Sequence, residues 1–339
     1  MTDSLRWGIL STANIGRKAV IPALQAARDS EVRAVASRDV GRARAFADEA
    51  GIPGAYGSYH ALLEDPEVDA VYIPLPNSGH AEWTVRAAEA GKHVLCEKPL
   101  ALSARECREM AAAAKAAGVL LMEAFMYRFH PRTDRVLELL AEEAVGEVRT
   151  IRSAFTFRLR NRDNIRLDPA LGGGALMDVG CYCVNVSRTL LGAEPLAAQA
   201  TARWTGGERG AGVDDELTGV LHFPDGVTAH FDCALTQRRR EFYEVAGTDG
   251  ILGVDEAFLP GTKDVEVLED GGDTRTRHAV KGDDEYRLMV EHFARCVREG
   301  RTPKWGVADA EANMRAIEAL YRSARAGGAP VDVEPGALA

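Results

Sequence analysis

The stretch LRWGILSTANIG, residues 5–16, decides the fold of the first third of the chain. Its apolar first half is typical of a buried strand, and apolar residues at helical spacing follow from about Ile15 to Arg28. The turn between them lies where dinucleotide-binding folds carry the pattern G-x-G-x-x-G, but only its last glycine, Gly16, is present. Ser11 can replace the first glycine if the turn avoids positive φ, and Ala13 adds a single methyl group.

The same alternation continues beyond this turn. The short apolar runs VRAVAS, DAVYIPLP, KHVLCE and VLLMEAF alternate with helical patterns, which is the sequence form of a parallel sheet with crossover helices. We therefore predict an α/β fold whose N-terminal part is a Rossmann, doubly wound parallel sheet. Ligands of such sheets bind beyond the carboxyl ends of the strands.

The pattern changes after Pro131. One amphipathic helix is followed by alternating strands separated by turns such as PDG, TDG and DGG. One helix over GGGALMDVGCYCVNVSRTLLG interrupts the strands, and two helices close the chain. Since 339 residues exceed the usual size of one core, we predict a nucleotide-binding domain over 1–127 and an α+β substrate and oligomerisation domain, with a mostly antiparallel sheet, over 128–339.

The composition narrows the possible functions. A formal net charge of -10 opposes binding to the phosphate backbone of nucleic acids. The N-terminus has no signal-peptide pattern and there is no run of about 18 apolar residues, so we expect a cytoplasmic protein without a membrane partner. The six cysteines are scattered without a C-x-x-C pair, which favours buried thiols and predicts no metal site.

Ser37-Arg38 at the end of the second strand bears on the choice of cofactor. An acidic residue near this position binds the ribose hydroxyls of NAD, whereas an arginine accommodates the 2′-phosphate of NADP. A hydroxyl and a guanidinium group together complement a phosphate. We therefore expect NADP(H), although Asp39 would weaken this expectation if it pointed inward, and a solvated arginine is the alternative.

Glu97-Lys98-Pro99 and the pair Asp178 and Tyr182 are the candidate chemical groups. Lys98 follows the strand KHVLC and could stabilise negative charge on a reacting oxygen. Asp178 and Tyr182 are four residues apart, hence on one helical face, and Gly180 between them is expected to leave open space beside that face. Because an unperturbed tyrosine has a pKa of ~10, a nearby ammonium group would help it exchange protons at neutral pH. A buried tyrosine satisfied by a carboxylate is the alternative.

These motifs, with EAFMYRFHP (residues 123–131) and GGGALMDVGCY (residues 172–182), resemble the Gfo/Idh/MocA oxidoreductases over about Leu5 to Arg325. The likeness is greatest to the NADP-dependent group that includes dimeric dihydrodiol dehydrogenase and D-xylose 1-dehydrogenase. The resemblance implies that Lys98 is the catalytic lysine, Tyr182 the acid or base and Asp178 a substrate-site residue. The inositol dehydrogenase branch has histidine in place of Tyr182, which argues against myo-inositol as the substrate.

The resemblance also implies a site, a reaction and an assembly. The reaction is hydride transfer between NADP(H) and a carbinol or hemiacetal carbon of a sugar or related cyclic polyol. The chain is expected to form a homodimer or homotetramer through the C-terminal sheet. The residues expected to bind the cofactor are Ser11, Thr12, Ala13, Asn14, Ile15, Ser37, Arg38, Pro74, Asn77, His80, Glu97, Lys98 and Arg128. Apart from the resemblance, four residues on the strand and loop just before the glycines could line the sugar site, although their alternation equally suits a packed strand: Phe155, Phe157, Asn161 and Arg166.

Two other functions are compatible with the same residues. The first is NADPH-dependent reduction of a keto-sugar in biosynthesis, which runs the same chemistry in the opposite direction. The second is a non-catalytic NADP-binding sensor, since fold does not fix function.

Overall fold

The computed structural model describes residues 4–337, which divide into two compact units. One unit comprises residues 4–126 and 284–311, and the other comprises residues 127–283 and 312–337. The first unit therefore includes 284–311, a segment that the sequence analysis assigned to the second domain.

The first unit is built on a six-stranded parallel sheet with the order β3-β2-β1-β4-β5-β6. Its strands are β1 (Leu5–Leu10), β2 (Ser30–Ala36), β3 (Gly54–Tyr56), β4 (Ala70–Ile73), β5 (His93–Cys96) and β6 (Leu121–Glu123). Its crossover helices are α1 (Ile21–Ala26), α2 (Val40–Ala50), α3 (Tyr59–Leu63), α4 (His80–Glu89) and α5 (Ala104–Ala117). The strand order reverses between β1 and β4, where doubly wound sheets bind their ligands. The predicted Rossmann fold is confirmed.

The second unit is built on a nine-stranded sheet with the order β14-β13-β12-β11-β7-β10-β9-β8-β15. Its strands are β7 (Val148–Arg158), β8 (Ala197–Trp204), β9 (Asp214–His222), β10 (Thr228–Ala234), β11 (Thr236–Gly247), β12 (Ile251–Asp255), β13 (Val265–Asp270), β14 (Arg275–Val280) and β15 (Val331–Asp332). All neighbouring strands are antiparallel except β7 and β10, so the sheet is mostly antiparallel, as predicted.

Helices of the second unit pack against this sheet. The helices of the second half of the chain are α6 (Pro131–Ala141), α7 (Cys181–Leu191), α8 (Glu285–Glu299) and α9 (Val307–Arg325). α7 packs against β7 and β10, whereas α8 belongs to the first unit, where it packs against α1. The ring of Phe293 on α8 lies 5.4 Å from the ring of Trp7 on β1, which explains why this segment joins the parallel-sheet core.

Two further observations concern the whole described chain. The side chains of all six cysteines are buried. In residues 4–337, no helix combines the length and the apolar character needed to cross a membrane.

Candidate active site

The nucleotide turn keeps a glycine-like backbone without the glycine. Ser11, the first residue after β1, has φ = 153°, a value that residues with side chains rarely adopt. The condition under which serine was expected to replace the glycine, a turn without positive φ, is therefore not met. Helical backbone begins at Asn14 and passes through a π-helical turn, Gly16–Val20, before α1. A turn of this form at a helix start can present backbone N–H groups to an anion.

The residues that follow β2 present cationic side chains, while the acidic side chain among them is held by a hydrogen bond. The side chain of Ser37 is buried and that of Arg38 is exposed. Asp39 does not compete with Arg38, because its Oδ1 atom accepts a hydrogen bond of 2.6 Å from the backbone N–H of Arg42 and caps α2. Burial raises the pKa of Tyr59, and the guanidinium groups of Arg38 and Arg42 act on it in the opposite direction, so both cations lie near this ring.

Lys98 lies in a loop that is fixed on both sides. Before it, Tyr72 Oη donates a hydrogen bond of 2.5 Å to Glu97 Oε1, while the backbone N–H of Lys98 donates to Glu97 Oε2 at 3.3 Å. Burial, followed by the neighbouring Glu97 carboxylate, raises the pKa of Tyr72, so its hydroxyl stays protonated and acts as the donor. After it, the backbone N–H of Leu100 donates to Glu123 Oε1 at 2.7 Å. The Lys98-Pro99 peptide bond is cis.

His80, the first residue of α4, braces the same loop. Its ring is fully buried, with Nδ1 2.9 Å from the carbonyl oxygen of Pro99 and Nε2 2.9 Å from that of Leu75. Both ring nitrogens of His80 thus contact backbone carbonyl oxygens. Two other predicted cofactor residues lie nearby in the chain: Pro74 directly follows β4, and Asn77 is the first residue of a 3₁₀ turn before α4. The predicted cofactor roles of these residues stay predictions, and the observed role of His80 is to join two strand-end loops.

Asp178 lies in a π-helical turn, Leu176–Gly180, that leads directly into α7. Arg166 Nε donates a hydrogen bond of 2.6 Å to Asp178 Oδ2, and the two side chains form an ion pair. The Arg166 guanidinium group also lies 6.0 Å from the centre of the Phe157 ring. Three residues that the sequence analysis singled out thus meet at the start of this helix, where a carboxylate is balanced by a cation.

Tyr182, on the first turn of α7, is 5% exposed and lies among aromatic rings. Its ring centre is 5.3 Å from Phe155, 5.3 Å from Phe258 and 5.9 Å from Tyr127. The structure therefore brings Phe155 to Tyr182, while its role in lining a sugar site stays a prediction. Asn161 differs, since it is exposed and its Oδ1 atom accepts a hydrogen bond of 3.0 Å from the backbone N–H of Asp163.

Arg128 is buried and contacts the helix of Tyr182. Its Nε atom donates to Asn185 Oδ1 at 2.7 Å, and Tyr127 Oη donates to the same oxygen at 2.6 Å. Asn185 itself is fully buried on α7, three residues after Tyr182. The cofactor role of Arg128 stays a prediction, while the contact shows that the EAFMYRFHP segment holds α7. The lone asparagine in the stretch CYCVNV was the sequence signal for Asn185.

Gly180 does not leave open space beside Asp178 and Tyr182. A Cβ atom at this position would lie 2.7 Å from Cys233 Sγ and 2.8 Å from Leu176 Cδ1. The expectation of an open space here is therefore wrong, because β10 fills it. The glycine is required by the close approach of the helix to the sheet.

Within residues 4–337, no group of three or more His, Cys, Asp or Glu side chains is placed to hold a metal ion. Residues 5–125 match an oxidoreductase family with an NAD-binding Rossmann fold, and residues 133–253 match the GFO/IDH/MocA C-terminal domain.

The chain is also similar to individual enzymes and to a solved structure of this kind. The chain is 47% identical to D-xylose 1-dehydrogenase (NADP(+)) 2 of Haloferax volcanii, covering 96% of this chain and 99% of the relative. It is 34% identical to trans-1,2-dihydrobenzene-1,2-diol dehydrogenase of Mus musculus, covering 93% and 95%. A crystal structure of a 3-ketoreductase from Actinomadura kijaniata with NADP and TDP-benzene matches with a TM-score of 0.88 at 33% identity, covering 94% and 98%.

The matched family models and the NADP-dependent relatives define the class of protein as a dinucleotide-dependent oxidoreductase. The chain belongs to the Gfo/Idh/MocA oxidoreductase family, which confirms the resemblance drawn from its motifs.

Proposed function

We propose that the protein is an NADP(H)-dependent dehydrogenase acting on a carbinol or hemiacetal carbon of a sugar or related cyclic polyol. The observation that carries this proposal is the helix start at which Asp178, paired with Arg166, precedes Tyr182 in its aromatic surroundings. The relatives described above, whose names specify NADP, xylose and a cyclic diol, support the same substrate class.

The residues present fit NADP. Ser11 has a positive φ at the position of the fingerprint's first glycine, and the exposed Arg38 and Arg42 offer two cations to a 2′-phosphate while Asp39 is held by its capping bond. When bound, this cofactor supplies or accepts the hydride. Arg42 was missed by the sequence analysis, although its place in the first turn of the helix after β2 was a usable signal.

Each candidate residue has a defined role in this proposal. The Oη atom of Tyr182 gives a proton to the substrate oxygen or takes one from it, depending on the direction of reaction. The ammonium group of Lys98 stabilises negative charge that develops on that oxygen. Asp178 accepts a hydrogen bond from a neighbouring substrate hydroxyl, and Arg166 holds its carboxylate in place.

Replacing Tyr182 with Phe tests the proposal because it removes one hydroxyl and keeps the ring. We expect kcat to fall by ~10²–10⁴-fold in assays that follow NADPH absorbance with a panel of aldoses and cyclic diols. Tyr243→Phe is the matched control, since Tyr243 is equally buried but lies on β11. Activity of Tyr182→Phe within a few-fold of wild type would exclude this role for Tyr182.

Cofactor choice is tested at the two arginines. We expect Arg38→Ala and Arg42→Ala each to raise the KM for NADP by about 10-fold or more, because each removes a charged hydrogen-bond donor, and to leave the KM for NAD unchanged. Arg44→Ala is the control, since Arg44 is exposed on the same helix and pairs with Asp48 at 3.3 Å. Equal or better use of NAD by the wild type would contradict the NADP preference.

Two alternatives have distinct outcomes in the same panel. Turnover of keto-sugars with NADPH, without oxidation of sugars by NADP, would favour the reductase alternative, and one relative is named as a 3-ketoreductase. Tight NADP binding without turnover of any substrate would establish a sensor. The cytoplasmic location stays a prediction of the sequence.

Assembly through the second unit's sheet is part of the proposal. Ile251 on β12 and Leu268 on β13 are 38% and 37% exposed, and with Phe242 they lie on the face opposite the buried Tyr243, Val245 and Leu252. We expect Ile251→Glu to shift the wild-type dimer or tetramer toward the monomer in sedimentation velocity. Leu196→Glu, at an exposed leucine before β8, should leave the assembly unchanged.

A further inference from the structure

The glycine-rich segment Gly172–Gly174 immediately precedes the helix that carries Asp178 and Tyr182. Its path is fixed by backbone contacts, since the N–H of Gly174 donates to the carbonyl oxygen of Arg166 at 2.9 Å. A side chain from β9 fixes the residues that follow Gly174, because Asp214 Oδ2 accepts a hydrogen bond of 2.7 Å from the backbone N–H of Leu176. This N–H is in the first turn of the helix, where a carboxylate is stabilised by unsatisfied donors and by the helix dipole.

A second element holds the same carboxylate from its other side. Tyr321 on α9 donates a hydrogen bond from Oη to Asp214 Oδ1 at 2.7 Å. Gly174 has φ = 129°, and a Cβ atom there would lie 2.3 Å from Asp214 Oδ1 and 2.9 Å from Tyr321 Oη. The Asp214–Tyr321 pair and the third glycine therefore fit directly against each other, with no room for a side chain between them.

Asp214 is an unusual residue to find at this place. It is 1% exposed, and a buried carboxylate is costly unless hydrogen bonds compensate for the lost hydration. Burial raises its pKa to about 7 against the opposing effect of the Tyr321 and Leu176 hydrogen bonds. An apolar residue would fill this position at lower cost, so the contacts made by the carboxylate explain its presence.

We propose that Asp214 and Tyr321 form a positioning pair that fixes the start of this helix and so sets the placement of Asp178 and Tyr182 for reaction. The pair touches neither reacting group, and it acts through the backbone of Gly174 and Leu176. Its kinetic consequence rests on the proposed function, whereas its effect on the helix start does not.

The structural arm of the test is hydrogen–deuterium exchange of the full-length protein. We expect Asp214→Ala to speed amide exchange in residues 174–178 by about 10-fold, because a buried hydrogen bond at the helix start is lost. Asp214→Asn and Tyr321→Phe each leave one of the contacts and should give smaller increases. The control is Asp215→Asn, since Asp215 is the neighbouring residue on β9 and is bonded to Arg203 at 2.9 Å.

The kinetic arm compares kcat and NADP affinity in the same variants. We expect Asp214→Ala to lower kcat by up to about 10²-fold, the order expected for a misplaced reacting group, and Asp215→Asn to leave kcat unchanged. The Kd for NADP should stay within about two-fold of wild type, because Asp214 and Tyr321 belong to the second unit whereas the cofactor is proposed to bind mainly to the first, and distant sites act nearly independently. General unfolding would lower kcat and NADP binding together.

The exchange and kinetic results together test whether Asp214 and Tyr321 position the helix start. Unchanged exchange in residues 174–178 of both Asp214 variants would overturn it, as would faster exchange with an unchanged kcat. If Asp214→Ala does not fold, Asp214→Asn and Tyr321→Phe supply the same comparison. A wild-type protein without turnover would refute the proposed function alone, because the exchange measurement would still show whether the pair holds the helix start.

Discussion

Ser11 occupies the position of the first glycine of the fingerprint and has a φ in the range that glycine adopts. The first glycine of the fingerprint is absent from the sequence, yet the backbone at this position keeps a φ of 153°. Conformations of this kind cost residues with side chains about 1–3 kcal/mol, and they are found where function requires them. The φ of residue 11 is therefore one that suits glycine, and the serine is strained there.

Replacing Ser11 with Gly should relieve this strain. We expect Ser11→Gly to change the free energy of unfolding by between zero and about +1 kcal/mol, since the relief exceeds the entropy that glycine adds to the unfolded chain. NADP affinity should stay within a few-fold. Urea unfolding and fluorescence titration measure both quantities.

Ser103 provides a control of opposite sign. It has extended backbone and caps α5 by accepting a hydrogen bond of 3.2 Å from the backbone N–H of Glu106, so Ser103→Gly should lower the free energy of unfolding by a few tenths of a kcal/mol. A larger loss for Ser11→Gly than for Ser103→Gly would contradict the strain interpretation.

At the scale of secondary-structure elements, the helix 175–191 is held on several sides. Asn185 bonds to Tyr127 and Arg128, Cys233 on β10 approaches Gly180, and Asp214 on β9 accepts from Leu176. Its first turn is π-helical, a feature often found at functional sites. The position of Tyr182 is thus determined by contacts with distant parts of the chain as well as by the helix itself.

The contact at Gly180 gives a prediction at this scale. We expect Gly180→Ala to lower the free energy of unfolding by about 1–3 kcal/mol, because its methyl group overlaps Cys233 and Leu176. The same substitution should cost less in a Cys233→Ala background, where the sulfur is gone. Urea unfolding of the four proteins of this double-mutant cycle measures the coupling, and equal costs in both backgrounds would rule out the contact as the cause.

The sequence predicts the long periodic elements and the strand-end motifs because these depend on local patterns. It does not reveal β8, whose alanine-rich segment is a weak strand former and is defined by its pairing with β9. It also does not reveal Asp214 or the placement of 284–311. Tyr321 is 107 residues from Asp214, and contacts at such separations leave no periodic trace in one sequence.

At the scale of the whole molecule, buried titratable groups link stability to pH. His130 caps α6 by accepting a hydrogen bond of 3.0 Å from the backbone N–H of Arg132. Burial lowers its pKa to about 4, helped by the charge of Arg132. Since the unfolded chain takes up this proton at higher pH than the folded one, the contribution is present above about pH 6.5 and is lost as the pH falls toward 4. The raised pKa of Asp214 acts in the opposite sense, favouring the folded state as the pH falls from about 7.

His130→Asn isolates the histidine because asparagine is also a good cap and does not titrate. Relative to this variant, we expect the wild type to lose up to about 3 kcal/mol of unfolding free energy between pH 7.5 and pH 4. Denaturant unfolding at a series of pH values measures the difference, in which the contribution of Asp214 cancels. Parallel pH curves for the two proteins would show that His130 does not contribute.

The π-helical turns Gly16–Val20 and Leu176–Gly180 restrict where residues can be inserted or deleted in this chain. A π turn holds one more residue than the α-helical turn it replaces. Deleting one residue from 176–180 would let the helix close into a regular α-helix, and it would remove Asp178 or change its angular position relative to Tyr182. Insertions and deletions at this point should therefore be tolerated far less than substitutions, so that the number of residues is itself constrained at the helix start.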